Sequence, residues 1–600
     1  EVVKVKVSGV ANPDGAESRR VEGLNLAARN AQGLVEYSFE AAILKPVDLA
    51  KANGTLVYEV TNRGNGSISL GATSDAAARF YMDRGYVLIN SAWQGEVALN
   101  PAALNATLPI VRNAAGPLTQ AFRQEIRFDS TPVAEPEGAI RPVTLLYPTA
   151  STDKSTARLY VRQYEEDAPT ELPPSSFDFV DANRVQIRQA AGYDNSALYD
   201  LTYTATNGVV SGLGLASVRD LVSFLRFDQA DEDGRANPLA SAGTITVKNT
   251  IAYGVSQSGR FLRVFLWQGF NEDARGRRVF DGLMPIVAGA RKGDFNRPFA
   301  IPTASSTQHA GRRYPDNGFP FAYPVTFDPV SGKTDGLLAL CERSNTCPRI
   351  MHFDTDGEMG SAFSWMLQID TLGDPIVQPD NVRLYFAAGL QHGPGPIQPR
   401  GCFERPVLYP QVPFRNALFL ALDRWVKNGT PPPASRYPNK QDGTLVSVGQ
   451  AQAQWPRIPG FPYSSIRNVP ANWDYSPLLA QPRGTYPVLT TRLDPDGNQF
   501  DGVVFPLVAV PVATATGHYF TTTGYAPGEQ CTLQGILLPF ARTEAERAAV
   551  GDPRPSLGGR YPGGQAQYTA LVTAASNRLV GEGFLLAEDV PAIAGARLPQ

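Results

Sequence analysis

Histidine and cysteine are scarce in this chain, with four of each in 600 residues. His309, His352, His392 and His518 are therefore the only candidates for an imidazole base or an imidazole metal ligand. The cysteines lack the paired spacing of a zinc site: Cys341 and Cys347 bracket a short loop, while Cys402 and Cys531 stand alone. An even set without metal spacing predicts two disulfides, Cys341–Cys347 and Cys402–Cys531, and an oxidising compartment; four reduced thiols in a cytosolic enzyme is the competing reading. Missing too is any run approaching about 18 consecutive apolar residues, which argues against a transmembrane helix. Charge of one sign does not dominate: 54 basic against 57 acidic residues leave a net charge of -3. That balance points away from nucleic acid and from electrostatic membrane anchoring. There is no internal repeat and no low-complexity tract. The chain opens on Glu1 rather than on methionine, which fits a processed, exported protein or a trimmed one.

What is present is ample material for a large core. The chain is 43% hydrophobic and long enough for more than one domain. Strand-like and helical segments alternate through its middle, the pattern of a mostly parallel α/β sheet. Leu56 to Val60 reads as a strand ending in the turn Asn62-Arg63-Gly64-Asn65-Gly66. A helix follows from a Ser74/Asp75 cap to a stop at Gly85, and the next strand is Tyr86 to Asn90. Residues 96–210 are turn-rich with short alternating strands, an insertion beside the sheet. Leu215, Val218, Leu221, Val222 and Leu225 then recur at helical spacing. Further strands are predicted over Phe280 to Ala288, Arg349 to Phe353 and Val382 to Ala388, and helices over Ser361 to Gln368 and Phe414 to Lys427. The last of these stops at Asn428-Gly429 and Pro431-Pro432-Pro433. Residues 291–347 look like a lid, so a catalytic unit spans 1–430 and an extension, 431–600, packs on it. In the extension, Thr543 to Glu546 resembles a capping box, and Ala566 to Leu579 reads as helix.

The run Gly254-Val255-Ser256-Gln257-Ser258-Gly259-Arg260 carries the most chemical information. A strand-like Thr250 to Tyr253 precedes it and the apolar helical stretch Phe261 to Trp267 follows. Strand, tight turn of small residues, serine and helix is the context of a nucleophile elbow, in which the serine hydroxyl is thrust out on a strained turn. Small residues two before and two after the serine let strand and helix approach; here Ser258 stands where glycine is usual. The helix start aims backbone N–H groups, that of Gln257 first, at the place where an oxyanion forms, and the loop Arg63-Gly64-Asn65 is the candidate second donor. Arg260 suits either a substrate carboxylate or a structural role at the helix start.

A serine nucleophile needs a base and a group that orients the base. His392 lies in the Gly-Pro-rich loop after the strand Val382 to Ala388, downstream of Ser256, and is the candidate. His352 falls inside a strand, His309 in the lid and His518 in the tail. The orienting acid is expected between serine and histidine, where Asp354, Asp356 and Glu358 follow a predicted strand. Any of these could instead cap the helix that starts there. Together with His352 they make only a weak metal pattern, and Asp494-Pro495-Asp496-Gly497-Asn498 lacks the twelfth-position glutamate of a calcium loop, so no metal and no cofactor are expected.

These residues resemble a bacterial branch of the α/β-hydrolase superfamily. The likeness rests on the elbow through Arg263, on Gly212-Leu213-Gly214-Leu215-Ala216 with Val218-Arg219-Asp220 before it, and on Phe280-Asp281-Gly282 with Ala288-Gly289-Ala290-Arg291 after it. Gln391-His392-Gly393-Pro394, Gly551-Asp552-Pro553-Arg554 and Arg560-Tyr561 extend it from about residue 50 to about 590. The resemblance implies an α/β-hydrolase fold and serine-ester hydrolysis in a bacterial protein; the chain pattern adds large insertions and a C-terminal extension, and the cysteine pairing adds export. It also implies that the acid is Glu358, although Asp354 and Asp356 stand where the family tends to carry amide or hydroxyl side chains. The expected activity is hydrolysis of a small or polymeric carboxylic ester through Ser256, His392 and Glu358. An amidase or peptidase using the same groups, and a binding module on a hydrolase scaffold, are the alternatives.

Overall fold

The computed structural model describes the whole chain except residues 16, 67–75, 98, 129–137, 194–195, 303–311, 394–401, 403–404, 522–526, 532 and 600. Its centre is a sheet built from β1 (Val2–Ala11), β2 (Val35–Leu44), β3 (Thr55–Val60), β4 (Val87–Ser91), β5 (Asn249–Val255), β6 (Gly282–Ile286), β7 (Arg349–Thr355), β8 (Val382–Ala388) and β9 (Val503–Val504). Their order is β1-β2-β4-β3-β5-β6-β7-β8-β9, and the short strand Ala106–Thr107 adds to β2. From β4 to β9 every neighbouring pair is parallel; β2 runs antiparallel to both β4 and β1.

A strand covered on both sides is expected to be largely apolar on both sides, as β8 and β3 are. In β8, Val382, Leu384 and Phe386 face one core while Tyr385 and Ala387 face the other. In β3, Leu56, Tyr58 and Val60 face the first core and Val57 the second. Helices α2 (Leu213–Phe227) and α3 (Gln257–Trp267) pack into the first core, burying Leu215, Val218, Leu221, Val222 and Leu225 in α2 and Phe261, Leu262 and Phe265 in α3. α1 (Ala76–Met82), α5 (Val412–Asn428) and α6 (Gly564–Gly581) contribute to the second. The expected cap at Ser74/Asp75 lies outside the described residues. α5 ends as its sequence requires, on Gly429 with a left-handed φ of 73° ahead of the three prolines.

One helix differs from the sequence expectation. Instead of Ser361 to Gln368, α4 covers Asp356–Ser361 and a 3-10 turn covers Ser364–Leu367, with Phe363 between them at φ 58°. Packing decides this: a Cβ at Gly357 would stand 2.7 Å from the His392 backbone nitrogen, and one at Gly360 would stand 2.8 Å from the His518 ring. Helix propensity, low for glycine, has no part in it.

Residues 96–210 contain a four-stranded antiparallel sheet around Leu198–Thr206 and a three-stranded one around Arg184–Arg188. Buried ion pairs tie this insertion to the 291–347 segment. Arg313 pairs with Glu125 and Arg312 lies 2.9 Å from Glu165, while within the insertion Arg162 pairs with Asp200 and, at 3.1 Å, with Glu125. The extension meets the sheet directly, since Arg436 exchanges backbone hydrogen bonds of 2.9 Å with Leu384 and Phe386 of β8. The cysteine pairs are disulfides, Cys341–Cys347 with a Cα–Cα distance of 4.7 Å and Cys402–Cys531 with one of 5.7 Å. Among the described residues no helix is long and apolar enough to cross a membrane.

Candidate active site

The chain leaves β3 toward β4 on one side, and leaves β5 toward β6 on the other. A crevice therefore opens between the carboxyl ends of β3 and β5, the usual place for a ligand in an open α/β sheet. Ser256 follows β5 at this point, and the turn Asn62 to Gly66 follows β3.

Ser256 has φ 60° and ψ −118°, a strained conformation for a residue with a side chain. Its N–H donates to Ile286 O at 2.8 Å, which fixes the turn against β6. The tight approach of strand and helix runs through Gly254 and Gly259. A Cβ on Gly254 would fall 2.3 Å from Ser258 O, and one on Gly259 would fall 2.9 Å from Ile286 O. Ser258, the expected second small residue, fits with its hydroxyl buried and without a hydrogen bond among the described residues. Gln257 opens α3, so its N–H has no acceptor inside the helix. In the facing turn, the Arg63 N–H donates to Gln94 Oε1 and the Asn65 N–H to Asn62 O, both at 3.1 Å. Of the three, Gly64 (φ 77°) alone keeps an N–H with no acceptor among the described residues. Asn65, expected as an oxyanion donor, is thus engaged by its own turn. Arg260 is buried, with Nη1 donating to the Tyr314 hydroxyl at 2.9 Å.

Successive strand ends are stitched level with Ser256. Val287 N–H donates to Phe353 O at 2.7 Å and Gly357 N–H to Leu390 O at 3.2 Å. This brings the end of β7, with its three carboxylates, beside the loop after β8. Each carboxylate there has a different histidine. Asp354 Oδ1 lies 3.1 Å from His352 Nε2 and accepts from Gly289 N–H at 3.0 Å, while Oδ2 accepts from the Ser364 and Tyr437 hydroxyls at 2.9 and 3.0 Å. Asp356 Oδ2 lies 3.2 Å from His518 Nδ1. Glu358 Oε1 lies 2.5 Å from His392 Nδ1.

Glu358 is buried and its two oxygens have separate partners. Oε2 accepts from Thr355 N–H at 2.9 Å and from the Thr355 hydroxyl at 2.7 Å, closing a capping box on α4. The N-cap of α4 is therefore Thr355, and neither Asp354 nor Asp356 caps it. Burial pushes the Asp354 and Asp356 carboxyls up, but the adjacent histidines and the donated hydrogen bonds outweigh it and hold both below the ordinary aspartate value. His392 is partly exposed, its side chain at 12%. Among the described residues the Ser256 hydroxyl has no hydrogen-bond partner, His392 included. His309 and the loop from residue 394 lie outside the described residues. Among the described residues no three His, Cys, Asp or Glu side chains converge as a metal ion requires.

Gln499 and Gly517 are participants that sequence reasoning passed over, and His518 is one that it set aside as a tail residue. They lie more than a hundred residues beyond Asp356, and no local pattern links them to it.

A family model described as Alpha/beta hydrolase domain matches residues 177–594, and the chain belongs to that family. The protein is accordingly a hydrolase. A solved structure of a provisionally assigned hydrolase from Agrobacterium vitis S4 is similar at 9% identity, over 64% of this chain and 90% of that one, with a TM-score of 0.22. That likeness is too low to bear on fold or activity. No curated protein matches the chain.

Proposed function

We propose that this hydrolase cleaves carboxylic esters through Ser256, His392 and Glu358, as an exported bacterial enzyme. The observation that carries the reading is the 2.5 Å contact of Glu358 with His392 Nδ1 at the same sheet edge as the strained Ser256. In this reading Glu358 keeps the proton on Nδ1, leaving Nε2 to take the proton of Ser256 as it attacks the carbonyl. His392 then returns that proton to the leaving alcohol, and water hydrolyses the acyl-enzyme by the same exchange. The tetrahedral oxyanion is held by the N–H groups of Gln257 and Gly64, donors typically worth about 3–4 kcal/mol each. A serine–histidine hydrogen bond is commonly long until substrate tightens the site, so the unpartnered Ser256 hydroxyl is consistent with this chemistry. The two disulfides accord with export.

The test is labelling by a fluorophosphonate probe, mapped by mass spectrometry, beside a panel of 4-nitrophenyl esters and peptide substrates with Ser256→Ala as blank. Labelling at Ser256 with ester turnover is expected. Peptide turnover exceeding ester turnover would favour an amidase or peptidase instead, and an unlabelled Ser256 with no turnover would leave a binding module.

A further inference from the structure

The carboxylate of Asp356 is fully buried and accepts hydrogen bonds only from outside α4. Oδ1 accepts from Gln499 Nε2 and Oδ2 from Gly517 N–H at 2.5 Å, while His518 Nδ1 lies 3.2 Å from Oδ2 and 3.3 Å from the Asp356 backbone carbonyl oxygen. Gln499 in turn accepts from Gly389 N–H at 2.8 Å through Oε1. Gly389 follows β8 and opens the loop that leads into His392. One amide side chain thus spans the acid's helix and the base's loop.

The backbones of the three segments are also in contact here. Besides the Gly357–Leu390 hydrogen bond, a Cβ at Gly517 would fall 2.2 Å from Leu390 O and 2.6 Å from Gly357 N. No side chain fits between the tail, the start of α4 and the loop preceding His392. The partners of Asp354, by contrast, are Gly289, His352, Ser364 and Tyr437, none of them in the His392 loop.

We propose that Asp356, Gln499 and His518 are positioning residues that fix the distance between Glu358 and His392 by locking α4, the Gly389–His392 loop and the C-terminal tail together. The inference rests on the triad reading above. It gives the extension a part in turnover although none of these residues touches the reacting atoms. Displacing a catalytic group by about 1 Å can cost on the order of a hundredfold in rate, so a hub of this kind acts on kcat rather than on binding.

The experiment is steady-state hydrolysis of a 4-nitrophenyl ester, with kcat expressed per serine labelled by fluorophosphonate so that only folded molecules count. His518→Phe keeps a ring but removes the donor to Asp356; kcat is expected to fall roughly 10- to 100-fold with KM little changed. His518→Asn restores a donor near the Nδ1 position and is expected to recover most of the loss. Gln499→Leu attacks the hub through the other oxygen, is expected to show the same kcat loss, and serves if the His518 variants do not fold. Wild-type kcat per labelled serine in His518→Phe or Gln499→Leu, or a loss that His518→Asn does not recover, would overturn the inference and leave the triad standing. An unlabelled Ser256, with turnover surviving in Ser256→Ala, would remove the triad reading and this inference with it.

Discussion

Glu358 holds His392 through one carboxylate oxygen, at 2.5 Å, while its other oxygen closes the cap of its own helix on Thr355. The cap fixes the rotamer before the histidine is engaged, so the carboxylate is preorganised by local sequence. Glu358→Gln can still close the cap, because glutamine serves a capping box as well as glutamate does. Its folding stability is therefore expected to stay close to wild type while kcat falls by about two to four orders of magnitude. Chemical denaturation together with ester kinetics checks both halves. His392→Ala should be comparably inactive.

Asp354→Asn and Asp356→Asn are expected to behave differently from a lost helix cap. Asp356 faces the N–H groups of Gln499 and Gly517, so an amide there must turn its NH2 toward a donor; at Asp354 the amide can donate to the Ser364 or Tyr437 hydroxyl but loses the charge-assisted bonds that the carboxylate accepts. Each substitution should lower stability by about 1–3 kcal/mol, read from the midpoint of urea unfolding. Loss of activity in Asp356→Asn alone therefore does not identify the triad acid; the comparison with Glu358→Gln at equal folded fraction does.

The backbone at Ser256 offers a test independent of chemistry. Conformations of this kind cost about 1–3 kcal/mol for a residue with a Cβ and little for glycine. Ser256→Gly should be as thermostable as Ser256→Ala or more so, even though glycine adds about 0.5–1 kcal/mol of unfolded-state entropy. A clearly lower melting temperature for the glycine variant would show that the turn is unstrained.

Glu529 makes stability depend on pH. Burial pushes its carboxyl up to about 7, with the nearby Glu165 carboxylate adding to the shift, while its Oε1 accepts from Glu165 N–H at 2.7 Å. A folded value above the unfolded one of about 4.3 means a contribution fully present at lower pH and lost as pH rises through 7. Glu529→Gln keeps the acceptor and removes the titration. Its advantage over wild type in melting temperature should grow between about pH 5 and pH 8. Glu96, also pushed up to about 7 by burial, leaves the variant some residual slope.

Reduction should act on the site through Cys402–Cys531, which links the region after His392 to the strand pairing with Tyr519. Serine replacement of both cysteines should lower turnover, whereas the same change at Cys341 and Cys347, six residues apart, should act only locally. Non-reducing peptide mapping and ester kinetics of the two double variants check this.

Much of the architecture was legible because it is written in short-range patterns. The helix of Leu215 to Leu225 shows in the 3.6-residue recurrence of its apolar side chains, and β8 in the apolar run Leu384 to Ala388, which a sheet covered on both faces buries. The elbow's strand, turn and helix were legible from the small Gly254 and Ser258 on either side of the serine, whereas the close approach at Gly259 emerged only in the structure. The helix expected at Ser361 to Gln368 failed because contacts with His392 and His518, distant in sequence, set where α4 begins and ends.

The sequence by itself determined the family, the mostly parallel sheet and a short roster of candidate residues, since each depends on residue identity and spacing within a few turns of chain. Only the tertiary structure decided which histidine meets which carboxylate. Asp354, Asp356 and Glu358 alternate within five residues and are nearly equivalent as sequence, yet they point to His352, His518 and His392. Strand alternation and the first turn of α4 aim the three side chains in different directions. The fold then fills those directions with segments from the same strand, from the tail and from the loop after β8, a pairing that no local pattern encodes.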